Sequence, residues 1–121
     1  MNKPQIKLKR VYDPPSTDDG QRVLVDRLWP RGLKREEARL DDWLREVAPS
    51  DELRRWFGHD PARWDEFQQR YRRELAGEQQ QSAVERLRER AVSGPLTLLF
   101  AARDAEHCNA RVLRDYLSER L

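Results

Sequence analysis

Two short apolar segments, at residues 22–26 (RVLVD) and 96–102 (LTLLFAA), constrain the fold of this chain more than any other feature. Neither alternates between apolar and polar positions, which indicates strands that are covered on both faces. The residues from 35 to 93 lie between them and show only helical spacing and capping signals. Because strands joined through helices pair in parallel, we predict an α/β fold with a small mixed or parallel sheet.

The remaining elements complete a single domain over residues 1–121. Residues 6–12 mix apolar and basic positions and predict a half-exposed edge strand, and the turn formers of residues 13–20 predict a loop. Four helices are predicted within residues 35–93, the first from the spacing of Leu40, Trp43, Leu44 and Val47. A last helix is predicted from about Ala105 to Leu121. The expected order is β-β-α-α-α-α-β-α, with three or so strands and helices packed on the faces of the sheet.

The charge of the chain limits its partners. There are 24 basic and 22 acidic residues, a net charge of +2, and between residues 63 and 90 seven arginines face six acids. This balance disfavours a nucleic-acid partner, because such proteins carry a basic patch or stripe. Twenty of the basic residues are arginine. Arginine forks suit anions, although a genome rich in G and C gives the same bias.

Several classes of protein are not indicated. A single cysteine, Cys108, allows no internal disulfide and no cysteine-cluster zinc site. No apolar run approaches the ~18 residues that a membrane span needs, and the first ten residues lack the apolar stretch of a signal peptide. No dinucleotide or phosphate-loop glycine motif is present. We therefore expect a cytoplasmic protein with no metal, no cofactor and no membrane partner, in an oligomeric state that the sequence leaves open.

The ends of the two apolar segments predict a binding site. In parallel sheets, ligands bind outside the carboxyl ends of the strands. If these strands are neighbours, the loops that follow residues 22–26 and 96–102 open on one edge. Guanidinium groups there would bind phosphate or carboxylate. The indole of Trp29 would either stack on the ligand or cover the end of the sheet. The predicted ligand-binding residues are Arg27, Trp29, Arg31, Arg103 and Arg111.

An alternative use of the same charges stays open. The arginines could pair with Asp26 and Asp104 and tie the strands together as a purely structural cluster of ion pairs. Leu28, beside this cluster, is expected to be buried with the apolar strand residues.

Candidates for catalysis are weak. Asp26 ends a buried strand and needs a partner, either an arginine or a backbone N–H, but it could also accept a proton. Asp104 is expected to cap the last helix. His107 would then lie in the first turn, either as a neutral base or as an ordinary surface or capping residue. Cys108 is expected to be a small core residue rather than a nucleophile, because no phosphate-cradling loop surrounds it and acids lie within one turn.

The chain resembles the YeaO-like family of bacterial proteins, a domain of unknown function. The resemblance rests on KRVYDPP at 9–15, RVLVDRLWPRG at 22–32 and PLTLLFAARD at 95–104, supported by elements at 48–57 and 109–113. It implies a small cytoplasmic α/β protein and no known reaction. Within the resemblance, Cys108 replaces a usual asparagine and His107 is variable. The resemblance therefore shifts weight from that pair to the segment Asp26 to Gly32.

Three functions follow as hypotheses. The first is a domain that binds a phosphate or nucleotide-like anion at the ends of the two strands, either with or without an enzymatic activity. The second is an interaction or self-association module in which the RLWPRG loop is an exposed hot spot of aromatic and arginine side chains. The third, which the charge balance disfavours, is a nucleic-acid-associated module.

Overall fold

The computed structural model describes residues 4–121. Residues 1–3 lie outside the described part, and they belong to the first ten residues, in which the sequence predicts no signal peptide. In this part the strands are β1 (Ile6–Arg10), β2 (Gln21–Leu24), β3 (Asp42–Trp43) and β4 (Leu96–Phe100). The α-helices are α1 (Arg35–Ala38), α2 (Asp51–Phe57), α3 (Trp64–Leu75), α4 (Glu78–Ser93) and α5 (Asn109–Ser118). Short 3-10 helices occupy Thr17–Asp19, Arg45–Val47 and Pro61–Arg63.

The sheet is parallel throughout, in the order β1-β4-β2-β3. Its two central strands, β2 and β4, are the two apolar segments of the sequence, and Val23 and Leu24 pair with Leu98 and Leu99. The predicted α/β fold with a parallel sheet is therefore confirmed. Strand β1 lies at an edge of the sheet, as the mixture of apolar and basic residues in this segment predicts.

The two faces of the sheet are covered differently. Val23 and Leu98 belong to the larger apolar core, which α2, α3, α4 and α5 complete. Leu24 and Leu99 point to the opposite face, where they form a smaller cluster under Trp29, Leu33, Leu40 and Trp43. The chain from the end of β2 to β3, which includes the short helix α1, therefore covers this face of the sheet, while α2 to α5 cover the other.

The helix predicted from residues 40–47 is wrong. Helix α1 ends at Ala38, and Arg39 adopts the left-handed conformation. The backbone N–H groups of Asp41 and Leu44 then donate to carbonyl oxygens of β2. Trp43 joins the small cluster and Leu44 the large core, an alternation typical of a strand. Pairing with β2 thus overrides a local spacing that fits a helix.

The segment after β4 also differs from expectation. Helix α5 begins at Asn109, not near Ala105, and ends at Ser118. Residues 104–107 form a turn in which Asp104 accepts hydrogen bonds from the N–H groups of Glu106 and His107. Asp104 therefore caps this turn, and its side-chain oxygen competes with helix formation there. The prediction that Asp104 is a capping residue is thus right, but Asp104 caps this turn and not the last helix.

A buried ion pair fixes the start of β2. Arg22 and Asp19 are each 5% exposed and form an ion pair, and the Arg22 guanidinium also donates to the carbonyl oxygen of Ala38. Burial alone would raise the pKa of Asp19, but hydrogen bonds from Ser16, Lys9 and Arg22 together hold it below its usual value.

Along residues 4–121 there is no helix with the length and apolar character needed to cross a bilayer.

Candidate functional site

A cleft of about 750 Å³ opens at the carboxyl ends of β2 and β4. Its volume lies within the ~300–1,000 Å³ of typical small-molecule sites. Parallel strands and their following loops create it, as expected for an open α/β sheet. The residues that line it are Tyr12, Asp26, Arg27, Leu28, Trp29, Pro30, Arg31, Ala48, Pro49, Arg54, Phe57, His59, Phe67, Ala101, Ala102, Arg103, Asp104, His107, Cys108 and Asn109.

Asp26 is held by backbone and amide groups rather than by an arginine. Its Oδ2 accepts a hydrogen bond from the N–H of Ala101 at 2.8 Å, and its carbonyl oxygen accepts one from Trp43 Nε1 at 2.7 Å. Burial raises the pKa of the Asp26 carboxyl, and hydrogen bonding from Ala101 and the Asn109 side chain offsets only part of this. Asp26 therefore ties the ends of β2 and β4 together.

Arg27 turns away from Asp26 and toward the start of α2. Its Nε donates to the carbonyl oxygen of Pro49 at 3.2 Å and lies 3.9 Å from the carboxylate of Asp51. The guanidinium is partly exposed, so this pairing contributes little to stability. Arg27 thus lines the cleft, and the hydrogen bond to the Pro49 carbonyl oxygen sets the position of its guanidinium group.

Arg31 and Arg103 are exposed at the mouth of the cleft. Among residues 4–121 neither guanidinium lies within ion-pair distance of a carboxylate. The loop that presents Arg31 is anchored through its backbone, since its carbonyl oxygen accepts a hydrogen bond from the Tyr12 hydroxyl at 2.8 Å. The alternative in which Asp26 and Asp104 form ion pairs with these arginines does not match this geometry.

Trp29 is committed to its own loop. Its Nε1 donates to the carbonyl oxygen of Leu33 at 2.7 Å, and its ring meets Trp43 edge-on at 5.3 Å. The guanidinium of Arg35 lies over the same ring at 5.0 Å from its centroid. These contacts occupy much of the indole surface that a stacking role would need.

The burial predicted for Leu28 is wrong. This side chain is 59% exposed, and Tyr12, on the same cleft, is 41% exposed. The last ladder hydrogen bond of the second strand comes from Val25, so Leu28 lies beyond the sheet while Trp29 covers it. The sequence alone did not show that Leu28 is exposed whereas its neighbour Trp29 packs against the sheet.

Asp104 and His107 form a pair at the mouth of the cleft. Asp104 Oδ2 lies 2.8 Å from His107 Nδ1, and this hydrogen bond holds the pKa of the Asp104 carboxyl below its usual value. The imidazole ring meets Trp64 edge-on at 5.2 Å. A carboxylate at Nδ1 favours the tautomer with the proton there, which leaves Nε2 free to accept a hydrogen bond.

Cys108 and Arg111 contribute less to the cleft than their positions in the sequence suggest. Cys108 is buried, its Sγ donates to the carbonyl oxygen of Ala105, and burial raises the pKa of its thiol. A buried thiol with a raised pKa is a poor nucleophile. Arg111 lies on α5, and it is not among the residues that line the cleft.

Other lining residues escaped the sequence analysis because the fold brings them in from a distance. Arg54 arrives on α2. Asn109, by contrast, lies in the segment after β4 that was expected at this edge, and its side chain donates to the carbonyl oxygen of Val25 at 3.1 Å. His59 has a positive φ of 57° in the turn after α2 and also lines the cleft. No local pattern announces such long-range placements.

Two other kinds of site lack support. A smaller hollow of about 240 Å³ is bordered by Asp41 and Asp42, but Asp41 accepts from the N–H of Arg22 and Asp42 pairs with Arg86 and Arg90. In the portion from residue 4 onward, no group of three or more histidine, cysteine or acidic side chains is arranged to hold a metal ion.

Comparison with known proteins gives relatives along nearly the whole chain. A family model described as "Inactive DUF488-N3 subclade" matches residues 5–121. The chain is 45% identical over 112 residues to "Uncharacterized protein YeaO" of Escherichia coli, which covers 93% of this chain and 96% of the relative. It is 41% identical over 116 residues to "Uncharacterized protein Rv3073c" of Mycobacterium tuberculosis, which covers 96% of each. No solved structure matches the chain.

Proposed function

The chain belongs to the YeaO-like family, whose model is that of the inactive DUF488-N3 subclade, and we propose that it binds an anionic small molecule in the cleft without transforming it. The family membership confirms the resemblance drawn from the segment Arg22 to Gly32. The binding function is the proposal, and the charges of the cleft support it.

The observation that carries this proposal is an excess of unpaired positive charge. Four arginines line the cleft together with two acids. Neither acid forms an ion pair with these arginines: Asp26 accepts a hydrogen bond from the N–H of Ala101, and Asp104 pairs with His107. Arg31 and Arg103 thus remain available, and planar guanidinium groups bind phosphate or carboxylate with two parallel hydrogen bonds.

Binding is favoured over catalysis for two reasons. The family description calls the subclade inactive. The thiol that lines the cleft, Cys108, is buried and has a raised pKa, so its thiolate is scarce at neutral pH. The pair of Asp104 and His107 could orient a ligand through Nε2, and the thiol beside it in the cleft, Cys108, is a poor nucleophile for it to activate.

Calorimetric titration with inorganic phosphate tests the proposal. We expect saturable binding that weakens with added salt, and a loss of about tenfold or more in the double variant Arg31→Gln/Arg103→Gln. Arg73→Gln is the matched control, because this exposed arginine on α3 is not part of the cleft. Equal affinity of the double variant and the wild type, or no binding to the wild type, contradicts the proposal.

A second candidate, a self-association surface, has one observation in its favour. Leu28 and Tyr12 expose apolar surface at the same cleft, and exposed apolar groups ringed by arginine are common in interfaces. The hot spot would involve Leu28, because Trp29 is engaged with its own loop. Light scattering of the wild type and Leu28→Ser separates the two: a dimer that the substitution dissociates supports this candidate, and a wild-type monomer removes it.

The third hypothesis, a nucleic-acid-associated module, gains nothing from the helix surfaces. Arg70 pairs with Glu66, Arg72 with Glu119 and Arg88 with Glu85. These pairs leave the exposed side of the helices close to neutral, whereas polyanion binding needs a continuous basic stripe.

A further inference from the structure

Asp26 is the feature of the cleft that simple anion binding does not explain. An ionised acid beside bound phosphate repels it, and the effect is larger where water is partly excluded. Asp26 nevertheless lies in the cleft, and within residues 4–121 no arginine is at ion-pair distance from its carboxylate; the neighbouring Arg27 donates to Pro49 instead. A site built only for phosphate would place an uncharged side chain at this position.

The Asp26 carboxylate is rigid and has hydrogen-bonding capacity to spare. Its backbone is fixed by Trp43 Nε1 and its Oδ2 by the N–H of Ala101. A carboxylate can accept about four hydrogen bonds, and Ala101 and the Asn109 side chain supply two, so Asp26 can still accept one or more from a ligand. Its surroundings include Asn109, which is itself held by the carbonyl oxygen of Val25. The acceptor therefore needs no rearrangement before it binds a donor.

The cleft thus offers two opposite kinds of recognition. Arg31 and Arg103, which are exposed, provide donors for an anion, and Asp26 provides an acceptor for N–H or O–H groups. The space of about 750 Å³ is far larger than a bare phosphate ion fills. Sites of this size hold ligands that are as large as typical drug molecules. Buried apolar rings of Phe57 and Phe67 complete the wall.

We infer that the ligand is a phosphorylated metabolite of about nucleotide size, with its phosphate at Arg31 and Arg103 and a hydrogen-bond donor group at Asp26. This inference rests on the proposed function, since it names the ligand class of the same cleft. The donor is either an amino or imino group of a nucleobase or a hydroxyl group of a sugar. Both present the N–H or O–H that a fixed carboxylate accepts.

The substitution Asp26→Asn tests the inference with little risk to the fold. The amide oxygen of asparagine can still accept the hydrogen bond of Ala101, while an amide nitrogen, which is a donor, replaces the second carboxylate oxygen. Asp65→Asn is the matched control, because it removes the same charge from an exposed position on α3 outside the cleft. The probes are inorganic phosphate, ribose 5-phosphate, adenosine 5′-monophosphate and guanosine 5′-monophosphate, each measured by calorimetry at one pH and salt concentration.

The expected result is a change of selectivity. At least one organic phosphate binds the wild type more tightly than inorganic phosphate does, and Asp26→Asn loses about tenfold or more of that affinity. Inorganic phosphate binds Asp26→Asn as tightly as the wild type or more tightly, because a repelling charge is gone. Preference for ribose 5-phosphate identifies a sugar donor, and preference for a nucleotide over ribose 5-phosphate identifies a base donor.

The outcomes separate the two proposals. If no probe, inorganic phosphate included, binds the wild type, both the anion site and its ligand class are wrong. If phosphate binds but no organic probe binds more tightly, or if Asp26→Asn changes all affinities equally, the ligand class is wrong and the anion site stands. If Asp26→Asn keeps the wild-type preference for an organic phosphate over inorganic phosphate, the inference is likewise overturned.

Discussion

The carboxylate of Asp26 accepts a hydrogen bond from the backbone N–H of Ala101 at 2.8 Å. Asp26 follows β2 and Ala101 follows β4, so this bond joins the ends of the two central strands at the edge where the cleft opens. The neighbouring Arg27 does not pair with Asp26, because its guanidinium is directed to Pro49 and Asp51. One residue therefore closes the sheet edge and shapes the electrostatics of the cleft.

Asp26→Asn is expected to leave the protein at least as stable as the wild type at pH 7. Burial raises the pKa of Asp26 in the folded state. The wild type therefore loses stability as the pH rises from about 3.8, the usual pKa of the group, through the raised pKa. Asparagine does not titrate, and its amide oxygen keeps the bond to Ala101. Urea unfolding of both proteins across pH should show a difference at neutral pH that vanishes below about pH 4. A less stable variant at pH 7 contradicts this prediction.

Asp19→Ala should destabilise the fold by about 3–5 kcal/mol, because it leaves the buried Arg22 without its partner. The control Glu66→Ala removes an exposed pair with Arg70 and should cost less than about 1 kcal/mol. Urea unfolding measures both. Since the pKa of Asp19 is lowered by folding, its contribution is present above the usual value of about 3.8 and is lost as the pH falls through the lowered one. Equal losses in the two variants would contradict the buried pairing.

Gly20→Ala should be far more damaging than Gly32→Ala. Both glycines have positive φ, at 63° and 75°, which an alanine adopts only with a backbone strain of about 1–3 kcal/mol. At Gly20 the accompanying ψ of −133° lies in the mirror-β region, which glycine alone occupies readily. A Cβ at Gly20 would also overlap the carbonyl group of Pro95, whereas a Cβ at Gly32 meets nothing within 4 Å. Thermal unfolding should therefore show a small loss for Gly32→Ala and a much larger one for Gly20→Ala. Similar melting temperatures would count against the close approach of Gly20 to Pro95.

Trp29→Phe should lower stability by about 1 kcal/mol while leaving phosphate affinity unchanged. The substitution removes the hydrogen bond from Nε1 to Leu33 and keeps an aromatic ring against Trp43. Unfolding in urea and calorimetry with phosphate give the two readouts. A large loss of phosphate affinity in a stable variant would return Trp29 to the set of ligand contacts.

The fold was predictable where burial left a continuous apolar pattern. The segments at 22–26 and 96–102 indicated neighbouring parallel strands, and their ends indicated where a site would lie. Strand β3 was not predictable, because two residues cannot establish an alternation and Trp43 and Leu44 also fit helical spacing. Its identity comes from backbone bonds to β2, which only the folded chain forms.

The site was predictable in part for a related reason. Asp26, Arg27 and Arg31 follow a strand directly, so the sheet itself places them at the cleft. Arg54 and His59 reach it only because α2 packs beside the ends of the strands. The partner of Asp26 was also ambiguous, because a backbone N–H leaves no trace in the sequence.

Phosphate titration followed by two-dimensional amide NMR tests the central claim, an anion site at the carboxyl ends of β2 and β4, most directly. We predict saturable shifts concentrated in residues 26–32 and 101–109, which hold Arg31 and Arg103, with the β1 edge and α4 unaffected. The same shifts should be lost in Arg31→Gln/Arg103→Gln. Shifts centred elsewhere, or none at saturating phosphate, would contradict the account.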